Sequence, residues 1–197
     1  DWGYLLDTRL LHLSGLTVPL SDSVQAIIHE AIRRAKEADI PISFDMNYRS
    51  RIWSPDEAAK VIEPLLKQVD VLFFARGDAK RMYGMSDDPP QLVEQLAEIT
   101  SASVIVASLS SDGVIASDRQ ETYFQPVHEI EVVDRIGAGD AMVAGVLHGW
   151  LQGDVAKGLQ YGVTTAALAL TQYGDPVITT RDDLETLIQM GHRDIVR

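Results

Sequence analysis

Residues 10–45 read LLHLSGLTVPLSDSVQAIIHEAIRRAKEADIPISFD, and this stretch decides the class of fold. Leu10 to Ser14 and Pro41 to Asp45 are short, mostly apolar runs of strand length. Between them, Ser21-Asp22 can cap a helix in which Val24, Ile27, Ile28, Ala31, Ile32 and Ala35 recur at helical spacing. Arg33, Arg34, Lys36 and Glu37 fall largely off that stripe. Strand, helix and strand in succession build a parallel sheet.

The alternation continues outward from there. Ser54-Pro55-Asp56-Glu57 is a capping box with proline at the first helical position, opening a helix to about Gln68. Val71 to Phe74 follows as a buried strand. Asp88-Pro89 starts a helix carrying Leu92, Val93, Leu96 and Ile99, and Val104 to Ala107 is the next strand. Residues 112–127 read as an antiparallel hairpin, VIAS and TYFQPV around a polar turn. Ala141 to Leu151 is apolar on nearly every side and is expected to be buried all round. The helix from about Val155 to Thr171 is rich in Ala, Gly and Thr, which let two helices approach closely. Thr180, three residues before Asp183, begins a last amphipathic helix. The expectation is an α/β fold, one domain over residues 1–197 with a mostly parallel central sheet.

The 197 residues are 46% hydrophobic and 23% charged, enough for one sizeable core. The net charge of −12, with no basic cluster, argues against nucleic acid as a partner. No apolar run is long enough to span a bilayer and Asp1-Trp2-Gly3-Tyr4 is unlike a signal peptide, so a cytoplasmic location is expected, with no membrane partner. There is no cysteine, and the five histidines, His12, His29, His128, His148 and His192, show no metal-ligand spacing. An acidic chain that binds an anionic nucleotide must do so locally, through backbone N–H groups, a few cations and a divalent metal.

Such a place is offered by Asp134-Arg135-Ile136-Gly137-Ala138-Gly139-Asp140-Ala141, between a β run at Ile130 to Val133 and the apolar helix. Glycines let a backbone approach phosphate oxygens, and a helix N-terminus favours negative charge. A carboxylate in the same first turn can accept the proton of an attacking hydroxyl. Two readings stand side by side: an anion hole with Asp140 as base, or a tight turn with Asp140 as helix cap. The spacing is neither GxGxxG nor a P-loop.

The segment DRIGAGDAMVAG resembles the second signature of the ribokinase-like (PfkB) family of carbohydrate kinases. LLHLSG at residues 10–15, FDMNYRSRIW at 44–53, VVDRIGAGDA at 132–141 and Gly174-Asp175 follow in the order found in 2-keto-3-deoxygluconate kinases. The resemblance implies a three-layer α/β/α fold and ATP-dependent, Mg²⁺-assisted phosphorylation of a sugar hydroxyl. It also covers only the later part of such a kinase, so the N-terminal strands and the lid, with their sugar contacts, are expected to be missing. Homo-oligomers in this family pair through that lid.

By the same resemblance, Gly137, Ala138 and Gly139 form the anion hole and Asp140 is the base. Asn47 and Arg49 contact nucleotide phosphates or the acid sugar, although Asp45 and Arg49 could instead pair with each other. Ser108, Ser110, Asp112 and Gly113 belong to the nucleotide loop, or to a plain hairpin entry. Val163 flanks the adenine or packs in the core, and Asp175 lies near the substrate or merely turns the chain before Pro176. Three departures stand out: Ser108 replaces a usual lysine, Arg135-Ile136 replaces a threonine-containing pair, and Ala75-Arg76-Gly77-Asp78 replaces Asn-x-x-Glu. Asp78 is then the acid left for magnesium. A neutral sugar and a non-catalytic binding role are the alternatives to an acid-sugar kinase.

Overall fold

A computed structural model of the chain describes residues 1–190. The helices are α1 (Trp2–Leu5), α2 (Asp22–Glu37), α3 (Pro55–Leu66), α4 (Arg76–Tyr83), α5 (Pro89–Ile99), α6 (Ala138–Trp150), α7 (Val155–Leu170) and α8 (Arg181–Met190). The strands are β1 (Leu11–Ser14), β2 (Ile42–Asp45), β3 (Val71–Ala75), β4 (Val104–Ser108), β5 (Val114–Ser117) and β6 (Thr122–Gln125). They follow chain order in a mostly parallel sheet, β1-β2-β3-β4-β5-β6. The chain divides into two compact units, Asp1–Leu109 with Ser117–Thr122, and Ser110–Ala116 with Tyr123–Arg197.

In the first unit β1 to β4 are all parallel, with Ser14 opposite Asp45 and Ala75 opposite Ser108. Ile42, Phe44, Leu72, Phe73, Ile105 and Val106 are buried almost completely, the near-continuous apolar runs of strands covered on both faces. The helices start where their side chains dictate. The Ser21 hydroxyl accepts from Val24 N–H at 3.2 Å, and Ser54 and Glu57 close the capping box, with Glu57 N–H donating to Ser54 Oγ at 3.3 Å and Ser54 N–H to Glu57 Oε2 at 2.9 Å. Such caps are worth about 1 kcal/mol each.

Two expectations in this unit need correction. Ile27 is exposed, because the buried stripe of α2 runs through Ile28, Ala31, Ile32 and Ala35 and is narrower than its hydrophobic pattern. Helix α4 was not foreseen at all. It buries only Ala79 and Met82, has no side-chain cap at Ala75, and carries Gly77 in its first turn, so neither period nor cap announces it. Its end is signalled, by Gly84 in the left-handed region with φ of 65°.

In the second unit α6 and α7 pack backbone to backbone. A Cβ at Gly149 would lie 2.3 Å from Gly158 Cα, and one at Gly145 would lie 2.6 Å from Gly162 N. The Thr165 hydroxyl is 2.7 Å from Ala141 O. Helix α6 is not buried all round: Ala144 and His148 reach solvent along one line. The β run expected at Ile130 to Val133 is not a strand. Val132 and Val133 are about half exposed, and Val133 N–H donates instead to Leu170 O at the end of α7, at 2.8 Å. His128 is buried, its Nε2 3.0 Å from Thr164 Oγ1, and His148 is a surface partner of Gln152. In the first unit His12 Nδ1 lies 2.8 Å from Ser43 Oγ. His192 lies outside the described residues.

Helix α8 is fastened to α7 by Glu185, which accepts from Tyr161 OH and from Lys157 Nζ, the latter at 2.9 Å. The tyrosine hydroxyl, and then the lysine, hold the Glu185 carboxyl below its ordinary value of 4.5. A depressed carboxyl stabilises the fold above its unfolded value, and that stabilisation is lost as pH falls through the folded value. Melting curves of Glu185→Gln and the wild type are therefore expected to differ most near neutral pH and to converge below about pH 4.5. A gap unchanged down to pH 3 would contradict this.

Candidate active site

In the second unit the glycine turn opens α6. Gly137 is the N-cap residue, with φ of 77°, and no side chain caps the helix. A Cβ at Gly137 would stand 2.6 Å from Asp175 O and 2.9 Å from Asp175 Oδ1. Conformation and space both demand glycine here. Ala138, Gly139 and Asp140 are the first three helical residues, so Asp140 sits inside the first turn and is not the cap. Its side chain is exposed. The structure rules out Asp140 as the helix cap and leaves its carboxylate in the first turn, where the leading N–H groups of a helix have no partner within it.

The same turn is tied to the loop after α7. Asp134 Oδ1 accepts from Ile136 N–H at 3.1 Å, and Oδ2 accepts from Gly174 N–H at 3.3 Å. These backbone donors hold the Asp134 carboxyl below the usual aspartate range. Asp175, which follows Gly174, is thereby brought against Gly137, so two of the predicted site positions meet. Sequence reasoning passed over Asp134. An aspartate two residues ahead of the N–H it binds, just before a glycine, is the usual signature of a side-chain turn.

Gly139 differs from Gly137: its φ is ordinary and a Cβ there would meet nothing within 4 Å. Gly139→Ala is therefore expected to keep or slightly raise Tm, since alanine favours a helix by about 0.5–1 kcal/mol. Turnover should nevertheless fall by about tenfold or more if a phosphate approaches this backbone, because the methyl occupies its path. Calorimetry beside steady-state kinetics separates the two effects.

The other residues of this unit are placed as follows. Ser110 and Asp112 bound a short 3₁₀ turn, Ser110 with φ of 60°, and Gly113 with φ of 137° has no room for a Cβ, which would be 2.4 Å from Gln125 O. Val163 is 3% exposed, a packing position within α7.

In the first unit the predicted residues gather at the carboxyl ends of parallel strands, where open α/β sheets bind ligands. Beyond β2 the chain alternates, with Met46 and Tyr48 buried and Arg49 exposed. Asn47 has φ of 40°, and its Nδ2 donates to Ser14 Oγ at 3.2 Å, joining the ends of β1 and β2. Gly15 permits that joint, since a Cβ would lie 2.1 Å from Met46 O. Ser108 ends β4.

Asp78, in the first turn of α4, lies 3.5 Å from Arg81, whose guanidinium is also 6.0 Å from the Tyr48 ring centre. Burial pushes the Asp78 carboxyl up, and the charges of Arg81 and Arg49 oppose that rise. Arg49 is thus electrostatically coupled to Asp78. A partly buried carboxylate 3.5 Å from a guanidinium does not present the oxygen-rich, net-negative setting that direct ligation of Mg²⁺ asks for. Among the described residues no group of three or more His, Asp or Glu could hold a metal. No helix among them is long and apolar enough to cross a membrane.

Comparison with known proteins bears on all of this. Residues 1–180 match the pfkB family carbohydrate kinase. The chain is 36% identical over 192 residues to a 2-dehydro-3-deoxygalactonokinase of Haloferax volcanii, covering 97% of this chain and 60% of that protein. The crystal structure of 2-dehydro-3-deoxygluconokinase from Thermotoga maritima superposes with a TM-score of 0.87 at 29% identity, over 96% of this chain and 62% of that one. A chain described as a ribokinase II from E. coli, solved with ATP and Mg²⁺, has the same fold, with a TM-score of 0.84 at 23% identity over 96% and 61% of the two chains. The chain spans about 60% of the length of these relatives. With a ribokinase-like fold and a family match over nearly its whole length, the chain belongs to the pfkB family of carbohydrate kinases.

Proposed function

We propose that this chain carries the phosphate-binding helix start and the base of an ATP-dependent kinase that phosphorylates the terminal hydroxyl of 2-keto-3-deoxygluconate or its epimer 2-keto-3-deoxygalactonate. The observation that carries this reading is the start of α6, with Gly137 as an uncapped N-cap at φ of 77° and Asp140 in the first turn. In the reaction the sugar hydroxyl oxygen attacks the γ-phosphorus, the bond from that phosphorus to the β,γ-bridging oxygen breaks, and ADP leaves. Asp140 takes the hydroxyl proton, and N–H groups of residues 137–140 offset the charge that develops on the transferring oxygens. Mg²⁺ carried in with the nucleotide would supply positive charge beside the transferring group. Asp78 is not assigned to hold it.

The remaining assignments belong to the same reading. Arg49 and Asn47 serve phosphate or sugar carboxylate, Arg because its planar fork binds either bidentately. Ser108, Ser110, Asp112 and Gly113 line the nucleotide, and Asp175 serves the substrate end. The acid-sugar choice draws on the similarity to the Haloferax volcanii and Thermotoga maritima kinases, both named for acid sugars. One observation favours a second reading, a nucleotide binder without turnover: Asp78 is paired with Arg81 and its segment lacks the family's amide.

The test is ATP-dependent phosphorylation by the full-length protein of 2-keto-3-deoxygluconate, 2-keto-3-deoxygalactonate, fructose and ribose. Preference for either acid sugar supports the proposal. Preference for fructose or ribose removes the acid-sugar part, and ATP binding with no acceptor turned over favours the binder.

A further inference from the structure

Arg81 makes contacts that tie it to the strand ends rather than to its own helix alone. Helix α4 follows β3 directly, with no side-chain cap at Ala75, and Asp78 lies in its first turn. Side chains on a helix lean toward its N-terminus, so Arg81, three residues on, reaches back over that first turn to the carboxyl end of β3. There its guanidinium lies 6.0 Å from the Tyr48 ring centre, and one N–H group is 3.5 Å from Asp78 Oδ1. The ring is itself fixed, buried and with its hydroxyl donating to Trp53 O at 2.9 Å.

These contacts orient the guanidinium without filling it. A charge-assisted N–H···O bond is normally about 2.7–2.9 Å long, so at 3.5 Å Asp78 holds one donor loosely. No other acceptor among the described residues meets Arg81, whereas Arg119 gives its fork to the carbonyls of Ala97, Thr100 and Ala102. The Asp78 side chain is 19% exposed and that of Arg81 53%, so the carboxylate lies beneath and the guanidinium opens to solvent. The neighbouring strand ends add little charge. Ala75 and Ser108, opposite one another where β3 and β4 end, carry none, and Arg76 donates to Leu109 O at 3.0 Å.

We propose that Arg81 is an anion-binding residue of the nucleotide site: its guanidinium, set by the Tyr48 ring and by Asp78, receives a phosphate of the nucleotide at the carboxyl ends of β2 and β3. The proposal rests on the ATP-dependent reading above. Asp78 then acts by holding a guanidinium. The planar fork of Arg81 can take two phosphate oxygens at once, and in a chain of net charge −12 such a local cation is what draws a polyanion to this edge.

The experiment compares Arg81→Gln and Arg81→Lys with wild type as full-length proteins, by titration calorimetry with ATP, ADP, adenosine and 2-keto-3-deoxygluconate, beside Tm. Arg81→Gln is expected to bind ATP and ADP about tenfold or more weakly, with adenosine and the acid sugar within about twofold of wild type. Arg81→Lys, which keeps the charge without the fork, is expected to fall between the two. The loss should shrink as salt rises, because the guanidinium is half exposed. Unchanged ATP affinity in folded Arg81→Gln overturns the proposal, and so does an equal loss for adenosine, which marks a structural role. A loss confined to the acid sugar also overturns it and gives the guanidinium to the sugar carboxylate. A wild type that binds no nucleotide removes the ATP-dependent reading and this proposal together, whereas a wild type that binds ATP beside an indifferent variant removes this proposal alone.

Discussion

Asp140→Asn is expected to lower kcat on the preferred sugar by at least about a hundredfold while leaving the protein folded, because a positioned general base contributes about 10²–10⁴ to rate. Asparagine has the same shape but no basic oxygen with the right proton affinity. The competing explanation, that the variant simply unfolds, fails on magnitude. Asp140 is exposed and is not the cap of α6, so its contribution to stability is that of a first-turn carboxylate, about 0.3–1 kcal/mol. In a chain of this size that corresponds to a few degrees in Tm at most. Kinetics and melting curves on one preparation therefore separate base from scaffold. Loss of less than about tenfold in kcat would remove Asp140 from the base role.

Gly149→Ala is expected to be the most damaging single methyl between α6 and α7. The added carbon would lie 2.3 Å from Gly158 Cα, 2.4 Å from Gly158 N and 2.9 Å from Asp154 O, all backbone atoms that cannot rotate away. Helices α6 and α7 would have to separate along a contact that includes Gly145 and Gly162. Overpacking of this kind costs about 1–3 kcal/mol and sometimes more, against a helix-propensity gain for alanine of about 1 kcal/mol. With flexible neighbours the two would nearly cancel, but rigid backbone on both sides tips the balance to destabilisation. A fall in Tm of about 2–8 °C is expected. Gly77→Ala is the matched control: nothing lies within 4 Å of its Cβ position and its φ is not positive, so the propensity term acts alone and Tm should hold or rise. Equal Tm values for both variants would contradict the close packing of α6 on α7.

How much of this was legible in the residues follows from which signals are local. Ser21, Ser54 and Asp88 announce helix starts because a cap is a contact between residues two or three apart, and each was found where its pattern placed it. The strands β3 and β4 were legible because strands covered on both faces are apolar almost throughout, and β1 and β2, which carry His12 and Ser43, were legible as short runs on either side of a helical pattern. Helix α4 was not, since it has no cap, only two buried side chains and a glycine in its first turn. The β run at Ile130 to Val133 misled because extended, β-branched residues read as a strand whether or not a neighbour exists to pair with them. Here the partner of Val133 is the last turn of a helix. The glycine turn that opens α6, with Asp140 in the first helical turn, was readable from its spacing. Asp134 was not, because its meaning lies in Gly174, a residue that no local pattern connects to it. Likewise the burden on Asp78 became visible only once Arg49 and Arg81 were seen to bear on it.

The most direct measurement is single-turnover transfer from γ-labelled ATP to 2-keto-3-deoxygluconate, with enzyme in excess, for wild type and Asp140→Asn. The account predicts label on the terminal hydroxyl of the acid sugar with wild type, and transfer slower by about a hundredfold or more with the variant even when ATP is bound to both. Label released only as inorganic phosphate, or transferred to the sugar equally fast by Asp140→Asn, would contradict it.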